Sequence, residues 1–224
     1  MKILPFIQYF FYLGFNWNWR IAVYIIRQEY KGEKKYGLRT TGSDELKKLK
    51  AQGTDISHAT VYMPINYFQL EEMFAALPST PRNHFLDIGC GKGRAISVAA
   101  HYDYGKVTGI DFSKQFCIEA RENLQLTKEV IPSLEFSVIH NDAANVEIPA
   151  DVDCIFLFNP FDIVIMKRVV ANIEKSLQRH PRDLNVAYSN PLYKKLFLEK
   201  KFKEVYNKKQ MNYLELSILQ FRRP

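Results

Sequence analysis

Cysteine is scarce in this sequence. Three occur among 224 residues, Cys90, Cys117 and Cys154, none in a C-x-x-C pair and none beside a histidine at metal-ligand spacing. That usage implies a reduced, cytoplasmic setting and no structural metal. The five histidines are scattered and read as ordinary surface or core residues. Long apolar runs are also missing. The nearest approach, residues 3–15, is interrupted by Gln8 and closed by Asn16, Asn18 and Arg20, short of the roughly 18–20 residues that a spanning helix requires. Only Lys2 precedes that run and no small-x-small site follows it, so it is a poor match to a secretory signal. Internal repeats and low-complexity tracts are absent too. With 47% hydrophobic and 25% charged residues, the composition is that of a folded globular chain, long enough for one α/β domain and an extension.

The formal charge of +7 suggests an anionic partner until it is located along the chain. Residues 1–50 hold ten Lys and Arg against four Asp and Glu, a balance of +6, so the remainder is close to neutral. The basic segment is also rich in aromatics, among them Phe6, Tyr9, Phe10, Phe11, Tyr12, Phe15, Trp17, Trp19 and Tyr24. Two readings remain for it. It packs on the rest of the chain as a helical lid, or it lies at a membrane surface with Trp and Tyr beside Arg20, Arg27, Lys31, Lys34 and Lys35, a peripheral contact.

A polar connector follows, with turn signals at 41–44 and 52–55 and a short helix expected over 45–52. Residues 1–57 are therefore taken as extension and connector, and 58–224 as the main domain. Pro64-Ile65-Asn66 starts a helix whose Phe68, Leu70, Met73, Phe74 and Leu77 recur at helical spacing. From residue 83 the runs alternate: strands at 85–88, 106–110, 134–139, 154–158 and 184–188, helices at 94–102, 113–126 and 163–178. Such alternation predicts a parallel sheet with helices on both faces. After a helix at 193–200, strands at 202–206 and 213–221 are joined by an expected turn at Asn207-Lys208-Lys209-Gln210, an antiparallel closing pair.

Between the first strand and its helix lies Asp87-Ile88-Gly89-Cys90-Gly91-Lys92-Gly93. Its glycines let a ligand approach the backbone at the carboxyl end of a strand, where open α/β sheets bind nucleotides. A dinucleotide-binding G-x-G-x-x-G loop fits less well, because Arg94 occupies its last position. Asp87 would also repel a pyrophosphate, whereas it attracts the sulfonium and amino group of S-adenosyl-L-methionine. Asp111 ends the second strand, where a carboxylate can accept both ribose hydroxyls. Asp142 ends the third, within reach of an adenine amino group.

Residues 87–93 resemble motif I of class I S-adenosylmethionine-dependent methyltransferases. Asp111 resembles their acid at the end of strand two, and Asp142-Ala143 their adenine-contacting motif. The resemblance runs from about residue 65 to the C-terminus. It implies a Rossmann-like, doubly wound α/β fold, a seven-stranded, mostly parallel sheet with an antiparallel last strand, here preceded by the N-terminal helical extension. It further implies cofactor contacts from Asp87, Gly89, Cys90, Gly91, Gly93, Asp111, Phe112, Asp142, Ala143 and Asn159. Tyr62 and Tyr67 resemble lid residues, with core packing as their other reading.

The fourth strand ends in Phe158-Asn159-Pro160-Phe161-Asp162. This is similar to the Asp/Asn-Pro-Pro-Tyr/Phe motif of amino-group methyltransferases, with one proline missing. The resemblance implies catalytic roles for Asn159, Pro160 and Phe161, and an amine or protein side chain as methyl acceptor. The other reading of Asn159 and Pro160 is a chain turn that ends the strand. Two further acceptors are considered. Lys194, Lys195, Lys200, Lys201, Lys203, Lys208 and Lys209 suggest nucleic acid, but they alternate with Glu199 and Glu204 and read better as a solvated face. Lipid or quinone methylation rests on the aromatic N-terminus alone.

Overall fold

The computed structural model describes residues 4–41, 64–78, 82–158, 161–210 and 214–223. The helix expected over 45–52, the boundary at residue 57, and Tyr62, Asn159 and Pro160 lie outside the described residues. Two N-terminal helices, α1 (Leu4–Asn16) and α2 (Trp19–Tyr36), precede α3 (Tyr67–Ala76). Then come β1 (His84–Ile88), α4 (Arg94–Ala100), β2 (Lys106–Asp111), α5 (Lys114–Val130), β3 (Glu135–His140), β4 (Cys154–Phe158), α6 (Ile163–Arg179), β5 (Leu184–Ser189), α7 (Lys194–Leu198), β6 (Lys203–Gln210) and β7 (Leu214–Phe221).

The strands form one sheet in the order β3-β2-β1-β4-β5-β7-β6. β1 to β5 pair in parallel, and β7 is antiparallel to both its neighbours. This is the parallel core expected from the alternation and the seven-stranded, Rossmann-like sheet that the resemblance implies. Strand order reverses between β1 and β4, so the crevice at their carboxyl ends is the topological switch point, where such sheets take ligands.

Burial follows from the pleat. Phe85 and Val107 face one side, packed with Leu70, Met73 and Phe74 of α3, Val98 of α4 and Leu124 of α5. Leu86, Ile88, Ile155 and Leu157 face the other, against Ile165, Met166, Val169 and Ile173 of α6. Both faces are covered, so β1 and β5 are buried at every residue, the polar His84, Asp87, Asn185 and Ser189 included. Phe68, counted among the apolar positions of α3, is instead 38% exposed.

The polar stretch Asn207-Lys208-Lys209-Gln210 is strand, not turn: β6 runs through Gln210 and pairs with β7 down to Leu214. β6 is an edge strand with its outer face in water, and exposed lysines on an edge discourage pairing with other chains. Lys208 is further held by an ion pair with Glu72 of α3.

The N-terminal hairpin is joined to the sheet through α2. Asn18 caps α2 by accepting from the Arg20 amide at 2.8 Å, and Gly37 ends it in the left-handed conformation. One face of α2 carries Glu29, Gly32, Glu33 and Tyr36, all buried. Gly32 is required there because a Cβ would meet the Tyr67 ring at 2.1 Å. α1 packs on α2 through Tyr9 and Leu13 against Ala22 and Ile25, a small core of its own.

Candidate functional site

The chain leaves β1 at Ile88 and turns through residues 89–93 into α4. The amides of Gly89 and Cys90 both donate to the Ile110 carbonyl, at 2.8 and 2.9 Å, which pins the loop to the end of β2. Gly93 caps α4 at φ 79°, a conformation costly for other residues, and a Cβ there would lie 3.0 Å from that of Ala120 in α5. The loop is therefore held between the end of β2 and α5.

Asp111 helps to build the loop. Its Oδ2 accepts from the Gly91 amide and its Oδ1 from the Ser113 amide, each at 2.8 Å. Each oxygen retains a lone pair for a further donor. Asp87 and Asp111 are 3% and 5% exposed. Burial, then the charge of Asp111, pushes the Asp87 carboxyl well above the usual aspartate range. Burial pushes Asp111 up to about 6, against the lowering pull of the Ser113 and Gly91 amides. The cations nearest in sequence point elsewhere, Lys92 to Glu119 at 3.2 Å and Arg94 to Glu29. Two neighbouring buried carboxyls with this environment fit a ligand that brings positive charge.

The other expected cofactor residues gather at the same edge. Asp142 caps the 3₁₀ turn Ala143–Asn145, its Oδ1 accepting from the Ala144 amide at 2.8 Å, and Ala143 is buried beneath. The Phe112 carbonyl accepts from His140 Nε2 at 2.9 Å, tying the ends of β2 and β3. Cys90 is buried with its thiol against Gly109. At the end of β4, Phe158 pairs with Ser189 of β5. Phe161 is buried in the core beside Ile165 and Met166. Asp162 caps α6 by accepting from the amides of Val164 and Ile165 at 2.9 and 3.0 Å.

Tyr67 sits under the loop in a buried polar cluster that sequence reasoning missed. Arg94, the first residue of α4, donates to both carboxylate oxygens of Glu29, at 2.8 and 2.5 Å. It also donates to Thr40 Oγ1 and the Ile65 carbonyl, each at 2.7 Å. Its guanidinium stands 4.2 Å from the Tyr67 ring centroid, a cation–π contact. Tyr67 stacks on Tyr36 and shares a 3.0 Å hydrogen bond with Thr40. Burial pushes its hydroxyl up to about 12. Glu33 accepts from the amides of Thr40 and Thr41, at 2.7 and 2.6 Å. Two acids four residues apart in an otherwise basic helix were the available signal: they share one face, and it is buried.

Fold and site together define an α/β domain with a glycine loop at the carboxyl ends of its central strands. Residues 85–180, from β1 through α6, match a family model described as a methyltransferase domain. Among solved structures, a StiE O-MT segment is similar at TM-score 0.54 and 13% identity, over 70% of this chain and 75% of that one. A putative methylase from Haemophilus influenzae is similar at 0.52 and 19%, over 69% and 89%. The N-methyltransferase NodS from Bradyrhizobium japonicum is similar at 0.51 and 17%, over 70% and 93%. A search of curated proteins finds no match. Residues 85–180 thus match a methyltransferase domain, and the likeness to these solved methyltransferases is one of fold.

Proposed function

We propose that the protein methylates a nitrogen, on a protein side chain or another amine, in the cytoplasm. The observation that supports this reading most is that the run Phe158-Asn159-Pro160-Phe161 starts on the last residue of β4, the strand that pairs with the one carrying Asp87. Asp87 would face the amino acid portion of S-adenosyl-L-methionine, Asp111 the ribose, and Asp142 with Ala143 the adenine. When bound, that cofactor supplies an electrophilic methyl group. The chain contributes orientation: an Asn159 carbonyl accepting from the substrate nitrogen would aim its lone pair, at roughly 3–3.5 Å from the reacting carbon. A neutral amine needs no strong base. Tyr67 supports the loop from below through Arg94, and Tyr62 is proposed as the lid residue above the site.

Nucleic acid is disfavoured as acceptor by the ion pairs of the C-terminal lysines. Lys194 pairs with Glu204 at 2.6 Å, Lys200 with Glu174 at 2.8 Å, and Lys208 with Glu72. Charges neutralised in this way are poor phosphate contacts. The experiment is transfer of labelled methyl from S-adenosylmethionine into fractionated lysate. Label in protein or small amines is expected, and label confined to nucleic acid or lipid would refute the nitrogen reading.

Two predictions concern the cofactor. Asp111→Ala is expected to weaken S-adenosylhomocysteine binding by about 1–3 kcal/mol, through lost charged hydrogen bonds. Calorimetry reads this, and unchanged affinity would remove Asp111 from the site. The second is a pH dependence. Raised aspartate pKa values favour the folded, ligand-free protein below the ordinary range near pH 4, and that contribution is lost as the pH rises through about 6. A cationic ligand favours the ionised carboxyls, so affinity for S-adenosylmethionine should rise from pH 5 to 7 with release of protons. Binding heats in buffers of different ionisation enthalpy measure that release, and an affinity flat across the range would contradict it.

A further inference from the structure

The α1–α2 hairpin carries an apolar face that packing within the chain does not use. Along α1, Leu4, Ile7, Phe11 and Phe15 recur three or four residues apart and are all exposed, Phe15 at 77%. The rings of Phe11 and Phe15 are 6.2 Å apart, and both contact Trp19, at 6.2 and 5.2 Å. The aromatic surface therefore continues from α1 onto α2. Single exposed apolar residues are unremarkable, whereas a contiguous aromatic patch on a helix face marks a contact surface.

Charge on the hairpin is sorted by direction. Residues 4–41 contain six Lys and Arg and two acids. Both acids, Glu29 and Glu33, are buried, directed to Arg94, Thr40 and Thr41. All six basic residues are exposed, and Arg20, Arg27, Lys31 and Lys34 follow Trp19 along one side of α2. The outward surface is thus aromatic beside purely cationic. Folding sets this arrangement, because the acids that would have balanced the stripe are turned into the core.

We propose that this hairpin seats the protein on an anionic lipid bilayer. Phe11, Phe15 and Trp19 enter the boundary between headgroups and acyl chains, and Arg20, Arg27, Lys31 and Lys34 meet lipid phosphates. No helix among the described residues is long and apolar enough to cross a membrane, so the contact is with one surface. Bilayers are favoured over nucleic acid because the aromatics form a clustered apolar patch beside the basic side chains. The inference stands on the hairpin alone and does not depend on the methyl acceptor.

Trp17 and Trp19 are the only tryptophans in the chain, so the emission of the full-length protein reports on this hairpin without a label. Titration with phosphatidylcholine vesicles containing phosphatidylglycerol should shift emission to the blue and carry the protein into the pellet. Neutral phosphatidylcholine vesicles should do neither, and high salt should reverse the binding. Arg27→Glu and Lys31→Glu should each weaken binding about fivefold or more. Phe11→Ser with Phe15→Ser should abolish the shift at an unchanged melting temperature. Several results would overturn the proposal: no response to anionic vesicles, equal binding to neutral ones, or a response to single-stranded RNA alone. A blue shift that appears without lipid as the protein dimerises would assign the face to a second copy of the chain instead. The comparison of vesicle types needs no variant and stands even if a substituted protein fails to fold.

Discussion

Replacing Glu29 with alanine should destabilise the protein by about 3–5 kcal/mol, because it leaves the Arg94 guanidinium buried without its counter-charge. For a chain of this length that corresponds to a melting temperature lower by on the order of 10 °C. Arg94 is 3% exposed and Glu29 is fully buried, so water cannot replace the lost carboxylate without opening the core. Burial raises the Glu29 carboxyl while the Arg94 charge lowers it, which is the balance expected of a desolvated pair. Removing both partners should cost less than the sum of the single losses: Glu29→Leu with Arg94→Leu abolishes the stranded charge, although Thr40 and the Ile65 carbonyl lose a donor. Thermal unfolding of the two single variants and the double variant tests the coupling. A Glu29→Ala protein that melts like the parent would show that the ion pair contributes nothing.

The same substitution should reach the cofactor loop. Arg94 directly follows Gly93, so the clamp fixes the first turn of α4 relative to α2, α3 and the residue 40 region. Among the described residues, the extension is therefore fastened to the element that begins at motif I. S-adenosylhomocysteine affinity per folded molecule should fall in Glu29→Ala even though Glu29 lies outside the set of acids at the strand ends.

Much of the fold was legible in the sequence because both periodicities are strong. A continuous apolar run such as residues 154–158 has one stable place, a strand covered on both faces. Amphipathic runs such as 163–178 have one stable place as well, a helix against that sheet. The glycine loop was legible because left-handed backbone positions admit few residue types. What escaped were features fixed by tertiary contact. Asn207 to Gln210 looks like a turn by composition, yet an edge strand tolerates the same polar residues. Glu29 looks like surface charge, and only the arrival of Arg94, 65 residues later in the chain, turns it into a core residue. Tyr67 looks like a candidate lid by its place before the domain, while its ring is held against Arg94 and Tyr36. Long-range partners of this kind leave no periodic trace along the chain.

Asn159→Ala should slow methyl transfer about a hundredfold, a change of on the order of 3 kcal/mol in the barrier. The side chain lies outside the described residues, but its neighbours define the ends of the segment: Phe158 pairs with Ser189 on the sheet, and Asp162 caps α6. In sequence Asn159 directly follows β4, the strand that pairs with β1, and precedes α6. A carbonyl that accepts from the substrate nitrogen is worth most when the lone pair must point along one line, so its loss should appear in the chemical step. Affinity for S-adenosylhomocysteine should barely change, because Asp87, Asp111 and Asp142 are untouched. The opposing account, in which Asn159 only turns the chain, predicts lower stability with normal turnover per folded molecule. Methyl transfer and melting temperature measured on one preparation separate the two accounts. Turnover near that of the parent protein would end the case for Asn159 as a catalytic residue, while leaving the proposed cofactor site untouched.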